Sequence, residues 1–223
     1  MTRMVLEAKN ISKRYRKNGR FILKDFNLSI ENNKLLVIKG QSGCGKSTLL
    51  AILGGYLKPD SGQVKYNGIN INEINNDKLA SIHYDKIGYL PQSNVMLKEL
   101  KVIDNIVLAA KLVKGNNKEE FIKKAEDMLA ELDIKELADS YPYELSGGEL
   151  KRVSLIRSII TEPQVLIADE PTTGLDTVTG KKILDYIKAY KDKGNIVIIA
   201  SHDDNAEKYG DQVLDIRDTY HKQ

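Results

Sequence analysis

Residues 40–48, Gly40-Gln41-Ser42-Gly43-Cys44-Gly45-Lys46-Ser47-Thr48, match Gly-x4-Gly-Lys-[Ser/Thr], a loop whose backbone N–H groups wrap nucleotide phosphates. The apolar run Leu35-Leu36-Val37-Ile38 precedes it, and the helix-like Thr48-Leu49-Leu50-Ala51-Ile52-Leu53 follows. That order reads as a strand, a tight glycine turn and a helix whose positive N-terminal end meets the anion. Gly40, Ser42, Gly43, Cys44, Gly45 and Thr48 are therefore candidate phosphate-binding positions. Lys46 is placed to reach the β- and γ-phosphates, and the Ser47 hydroxyl to sit on Mg²⁺. The chain is expected to bind ATP or GTP.

At 223 residues the chain suits one globular domain with room for a smaller subdomain and a sizeable core. Its 34 basic and 31 acidic residues leave a charge of only +3, which gives no reason to expect nucleic acid as a partner. Lys13, Arg14, Arg16, Lys17 and Arg20 cluster around Tyr15 and read as a solvated strand end or an anion-facing patch. No signal-peptide apolar segment opens the chain, and no run of 18 apolar residues could span a bilayer. Cys44, the one cysteine, excludes an internal disulfide and fits a reducing cytosol; in the loop it reads as a small filler. These features predict a soluble, cytoplasmic protein whose membrane role, if any, runs through a partner.

Alternation predicts early strands at Val5–Ala8, Phe21–Leu23, Asn27–Ile30 and Gln63–Tyr66, separated by turn signals at Lys58–Gly62 and Asn67-Gly68. From about 98 to 160 the apolar spacing becomes helical: Val102, Ile106, Ala109, Ala110 and Val113, then Phe121, Ala125, Leu129 and Leu132. Buried-strand runs return at Val165–Ala168 and Ile196–Ala200, with a helical stretch near Val178–Asp192 between them. Short apolar strands alternating with helices indicate a parallel α/β sheet. The expected architecture is an α/β phosphate-loop (P-loop) core with a β-rich front and a helical insertion. Core and β-subdomain would span about 1–92 and 162–223, and the helical subdomain about 93–161.

Val165-Leu166-Ile167-Ala168-Asp169-Glu170 puts two carboxylates at the C-terminal end of a buried strand, where open parallel sheets bind ligands. One could hold Mg²⁺ while the other activates water for attack on a γ-phosphate. Alone, the run could equally be a strand entering a polar loop; Lys46 and Ser47 favour the functional reading. Further upstream, Leu145-Ser146-Gly147-Gly148-Glu149-Leu150-Lys151-Arg152 opens an apolar-periodic helix with paired glycines. Glycines there make sense if an anion approaches the backbone at a helix N-terminus.

With that segment the chain resembles the ATP-binding cassette (ABC) ATPases, whose signature motif it carries in the Leu-Ser-Gly-Gly-Glu form. The resemblance covers nearly the whole chain and implies a RecA-like, mainly parallel core, an N-terminal antiparallel β-subdomain and a helical subdomain. By the same resemblance Tyr15 stacks on adenine, and Gln92, in Tyr89-Leu90-Pro91-Gln92, is the Q-loop residue that reaches Mg²⁺. Gly174-Leu175-Asp176 corresponds to the D-loop at the dimer interface, and His202 to the switch histidine at the γ-phosphate. His83 and His221 match nothing and read as ordinary surface residues. Two copies would close head to tail around two ATP molecules. Lys46, Ser47, Gln92, Asp169, Glu170 and His202 of one would meet Ser146, Gly147, Gly148 and Asp176 of the other. Glu170 would be the general base, assisted by His202, and loss of the γ-phosphate charge would reopen the dimer.

The departures are Glu149 in place of the commoner Gln and an apolar Leu150; neither predicts an inactive protein. The chain stops 21 residues after His202, leaving no room for the C-terminal regulatory domain of many sugar importers. It resembles the compact ATPases of the lipoprotein-releasing and macrolide or antimicrobial-peptide exporter group, although those more often read Thr-Gly-Asn-Leu-Asp at residues 172–176. That implies an integral-membrane permease partner, docked near Gln92–Leu100 and the helical insertion, with the ATPase on the inner face of the membrane. The alternatives are a non-transport ABC ATPase of translation, repair or iron–sulfur assembly, or a mechanotransmission complex of the cell-division kind. No residue specifies a transported substrate.

Overall fold

The computed structural model describes residues 5–16, 19–111 and 118–219. Two sheets organise the chain. The antiparallel one contains β1 (Val5–Lys13), β2 (Leu23–Glu31), β4 (Ser61–Tyr66) and β5 (Ile69–Asn70), in the order β2-β1-β4-β5. The other is parallel, ordered β6-β7-β8-β3-β9: β6 (Ile87–Leu90), β7 (Val165–Asp169), β8 (Ile196–Ala200), β3 (Lys34–Lys39) and β9 (Gln212–Asp215). Helices α1 (Lys46–Leu53), α2 (Asn76–Asp85), α3 (Val102–Lys111), α4 (Lys118–Glu131), α5 (Gly147–Ile159), α6 (Thr177–Asp192) and α7 (Asp204–Glu207) complete it.

The parallel sheet is apolar on both faces because helices or a second sheet cover each. On one face Leu35, Val37, Leu166, Ala168, Val197 and Ile199 pack with residues of α3 to α6. On the other, Leu36, Ile38, Val165, Ile167, Ile196 and Ile198 join Leu49, Leu50, Ile52 and Leu53 of α1 and the antiparallel sheet, through Leu6, Ile11 and Phe26. The period-2 partition follows from strand geometry, which sends successive side chains to opposite faces.

The architecture agrees with the sequence expectation, with local differences. The strands expected at Phe21–Leu23 and Asn27–Ile30 are one, β2, which begins only at Leu23; Phe21 and Ile22 precede it. Its regularity breaks at Asp25, whose positive φ of 48° accompanies register shifts against β1. Asn67 and Gly68, both at positive φ, make the turn from β4 into β5, a short strand not anticipated. β6, β9 and α2 were also not anticipated; β6 fills one edge of the parallel sheet and pairs Leu90 with Ala168. The helices expected between 98 and 160 are present as α3, α4 and α5. Val113, Lys17 and His221 lie outside the described residues.

Candidate active site

The phosphate loop leaves β3 and enters α1 as the sequence requires. Gly45 is the N-cap of α1 at φ 102°, and a Cβ there would come within 2.7 Å of Ile22 Cγ2. Glycine is needed by both torsion and space. Lys46 begins the helix with its ammonium curled back over the loop, donating to the Gly40 carbonyl at 2.7 Å. The same nitrogen is 3.5 Å from Glu170 Oε1.

A cleft of about 510 Å³ opens over this loop, lined by Tyr15, Ile22, Gln41, Ser42, Gly43, Gly45, Lys46, Ser47, Thr48, Gln92, Glu170 and His202. Tyr15 is 64% exposed and reaches across its mouth, its hydroxyl 3.0 Å from Thr48 Oγ1. Cys44 instead lines a neighbouring cavity with Arg20, Phe21 and Arg217, and its N–H donates to the Gln41 carbonyl. Of the basic cluster, Lys13 is paired with Asp60 and Arg14 lies over the Phe21 ring.

Parallel pairing of β6, β7 and β8 delivers the remaining groups to one sheet edge. Asp169 ends β7 opposite Ala200, and Glu170 follows with its N–H bonded to the Ala200 carbonyl at 2.9 Å. Glu170 takes a left-handed φ of 50°, uncommon for a residue with a Cβ and found most at functional sites. Its Oε2 accepts from Thr173 Oγ1 at 2.9 Å and lies 2.8 Å from His202 Nδ1. An ionised carboxylate only accepts, so Nδ1 carries the hydrogen and Nε2 remains for the cleft. Burial raises the Glu170 pKa, but the His202 and Thr173 hydrogen bonds, with the charges of His202 and Lys46, outweigh it and hold the carboxyl below its usual range.

Asp169 differs from its neighbour. Burial pushes its carboxyl up despite a hydrogen bond from Ser47, and Glu170 adds to the rise. Its Oδ1 is buried with no hydrogen-bond partner. An orphaned carboxylate oxygen beside a serine hydroxyl is a donor set suited to a hard divalent cation.

The signature segment builds a second helix start. Ser146 caps α5, and Glu149 Oε2 accepts from both its N–H and its hydroxyl at 2.7 Å. Those contacts hold the Glu149 carboxyl below its ordinary pKa. Gly147 would admit a Cβ with nothing within 4 Å, and Gly148 would meet only Leu175 and Thr179 at ordinary contact distance. Ser146, Gly147, Gly148 and Asp176 do not line the cleft; Asp176 caps α6 through the N–H groups of Val178 and Thr179.

The structure corrects one reading and adds two residues. His83 is half-buried, stacked on Tyr56 at 4.2 Å and within 2.7 Å of the Gly54 carbonyl, not an ordinary surface residue. Thr173 and Lys151 touch the site and were given no role from the sequence, although Lys151 lies within the signature segment. Lys151, on α5, is only 3% exposed and donates to the Gln92 carbonyl at 3.0 Å.

A phosphate loop on a parallel sheet, with adjoining carboxylates and a histidine at the same edge, defines the P-loop nucleoside triphosphatases. The chain belongs to the ABC transporter family, whose model matches residues 23–173, and within it is the ATP-binding, ATP-hydrolysing cassette. It is 37% identical, over 96% of its length and 98% of the relative's, to HrtA of Staphylococcus haemolyticus, an ATP-binding protein provisionally assigned to hemin import. It is 35% identical over 96% of its length to the macrolide export ATP-binding/permease protein MacB of Neisseria meningitidis, of which it spans 33%. The ABC transporter cassette MJ0796, a protein of Methanocaldococcus jannaschii, has been solved as a dimer bound to ADP and Pi. It superposes with a TM-score of 0.88 at 32% identity, covering 95% of this chain and 94% of that one.

Proposed function

We propose that two copies of this chain close around two Mg-ATP and drive a membrane permease that exports or extracts a peptide, lipoprotein or antimicrobial compound. One observation carries the catalytic part: Glu170, held low in pKa and aimed by His202 and Thr173, faces the cleft beside Lys46.

In this reading ATP draws Lys46 off the Gly40 carbonyl and Glu170 and onto the β- and γ-phosphates. The loop N–H groups and the N-terminus of α1 hold the remaining phosphate charge. Tyr15 stacks on the adenine. Ser47, Asp169 and Gln92 would hold Mg²⁺, which when bound would supply charge neutralisation for the phosphoryl group. Glu170, freed from Lys46, takes the proton of the attacking water, while His202 orients the carboxylate through Nδ1 and contacts the γ-phosphate through Nε2. Ser146, Gly147 and Gly148 of the second copy close over the γ-phosphate, and Asp176 lies at the same seam. The open space at Gly147 supports this, because nothing among the described residues needs glycine there. The dimeric MJ0796 structures support the assembly.

The MacB likeness supports export, whereas the HrtA name points to import of hemin. Among the described residues no helix is long and apolar enough to cross a membrane, so the reading assigns the crossing to a permease outside them. Val95 and Leu97, 65% and 47% exposed in the segment after Gln92, are suitable apolar contacts for it. In this reading the permease holds the chain on the cytoplasmic face of the membrane.

The test is Glu170→Gln, tagged and purified from native membranes with Mg-ATP. Turnover should fall roughly 10³-fold with ATP binding retained, and the protein should run as a dimer with a polytopic permease attached. Near-normal turnover would remove Glu170 as the base. Recovery of ribosomal or iron–sulfur proteins alone would favour a non-transport ATPase, and substrate uptake by the reconstituted complex would favour import.

A further inference from the structure

Lys151 is a lysine buried inside the molecule, and the hydrolytic mechanism above gives it no part. It stands on the first turns of α5, two residues after Glu149. Its ammonium donates to the Gln92 carbonyl, 59 residues earlier in the chain. Leu90 pairs with Ala168, so Gln92 leaves β6 alongside the Asp169-Glu170 pair leaving β7. The Lys151 ammonium lies within the electrostatic reach of both carboxylates. A cation in this position costs desolvation energy that an apolar side chain would not. What it contributes is a positive charge next to two negative ones and a fixed anchor for the turn that carries Gln92.

We propose that Lys151 is a positioning residue for the metal-dependent step. It fixes the backbone at Gln92, and so the reach of that side chain, and offsets the Asp169–Glu170 charge. It thereby fastens the signature helix of each copy to its own γ-phosphate site. This rests on the Mg-ATP reading of the cleft. The phosphate loop is held separately: Lys46 opens α1 and the loop N–H groups lie between β3 and α1, whereas the Lys151 ammonium donates to Gln92. Nucleotide binding and metal-dependent turnover should therefore separate when Lys151 is changed.

The experiment uses the full chain as wild type, Lys151→Met, Lys151→Gln and Lys151→Arg. Turnover at saturating ATP is titrated with Mg²⁺, binding of a fluorescent ATP analogue is measured in EDTA, and amide exchange is followed over residues 88–97 without nucleotide. Lys151→Met should lower kcat and raise the Mg²⁺ half-saturation concentration by about tenfold, the usual cost of losing a group that orients a metal ligand. Analogue binding in EDTA should stay within about twofold of wild type, since the loop is intact. Exchange over 88–97 should quicken. Lys151→Arg, keeping charge and donor, should recover most of each effect. Lys151→Gln, shorter and uncharged, should show the same losses and serves if Lys151→Met does not fold. A Lys151→Met protein matching an active wild type in kcat and Mg²⁺ requirement would overturn the inference alone. Equal losses of analogue binding and kcat would also overturn it, reducing Lys151 to general support of the fold. A wild type without Mg²⁺-dependent hydrolysis would bring down the ATPase reading, and this inference with it.

Discussion

Two glycine-rich helix starts in this molecule look alike in sequence and differ in structure. At α1, the chain itself enforces glycine: Gly45 has a positive φ and no room for a Cβ beside Ile22. Lys46, Ser47, Asp169, Glu170 and His202 are gathered beside it from the ends of three strands of one sheet. At α5, Gly147 and Gly148 lack a positive φ, have room to spare, and are backed by a capping box that closes on itself through Glu149. The first site draws its loop, carboxylates and histidine from one chain. The second has an exposed face whose glycines answer only to something from outside, which in the proposed dimer is the other copy's nucleotide.

That contrast can be broken by substitution. The largest effect belongs to Gly147→Ala and Gly148→Ala. Neither should lower the melting temperature, since alanine suits a helix better than glycine. Turnover should nonetheless fall about 10²-fold, the usual loss when a backbone donor is kept from a developing oxyanion. Undiminished turnover would leave the signature glycines without a ligand. Gly45→Ala should do the reverse and damage the fold itself. A strained φ costs on the order of 1–3 kcal/mol, and about 2–4 °C of melting temperature goes with each kcal/mol in a chain of this size. An unshifted melting curve would contradict the geometry at Gly45.

A smaller effect is expected at Thr173. Its hydroxyl is one of the contacts holding the Glu170 carboxyl low, so Thr173→Ala should let that pKa rise. Protonation of the base then begins at higher pH. The acid side of the pH–rate profile should move upward, with only a few-fold loss at pH 8, where the carboxylate stays ionised. An unchanged acid limb would show that His202 alone sets the carboxylate. Smallest of all is Glu149→Gln. An amide can still accept from Ser146, so capping and melting temperature should be kept within about 1 °C, with turnover within about twofold. A large change in either would mean that the carboxylate charge, not the capping geometry, is what this position supplies.

The sequence disclosed the first site better than the second, for physical reasons. The Lys34–Lys39 strand, its loop and α1 are contiguous, so one local pattern contains their geometry. β7 and β8 were legible because strands covered on both faces are apolar throughout. β6 was not: Ile87-Gly88-Tyr89-Leu90 is four residues long, and its glycine exists because the Ser158 carbonyl of α5 packs against it. β9 was missed because Gln212 and Val213 are exposed on an edge strand and give no alternation. Lys151 lies in the signature segment, but its contact is with Gln92, 59 residues earlier, and no local pattern records it. Thr173 acts through its hydroxyl on Glu170, three residues earlier, a contact that no spacing announces. His83 read as surface because stacking on Tyr56 leaves no trace in spacing.

Glu170 sets folding against turnover in a single residue. Its left-handed backbone is one that glycine or asparagine would occupy with less strain than glutamate. A screen that rewarded thermal stability alone would therefore drift toward those residues at position 170, and each step would discard the carboxylate. On the proposed role as general base, hydrolysis is what requires glutamate there, against the preference of the chain that carries it.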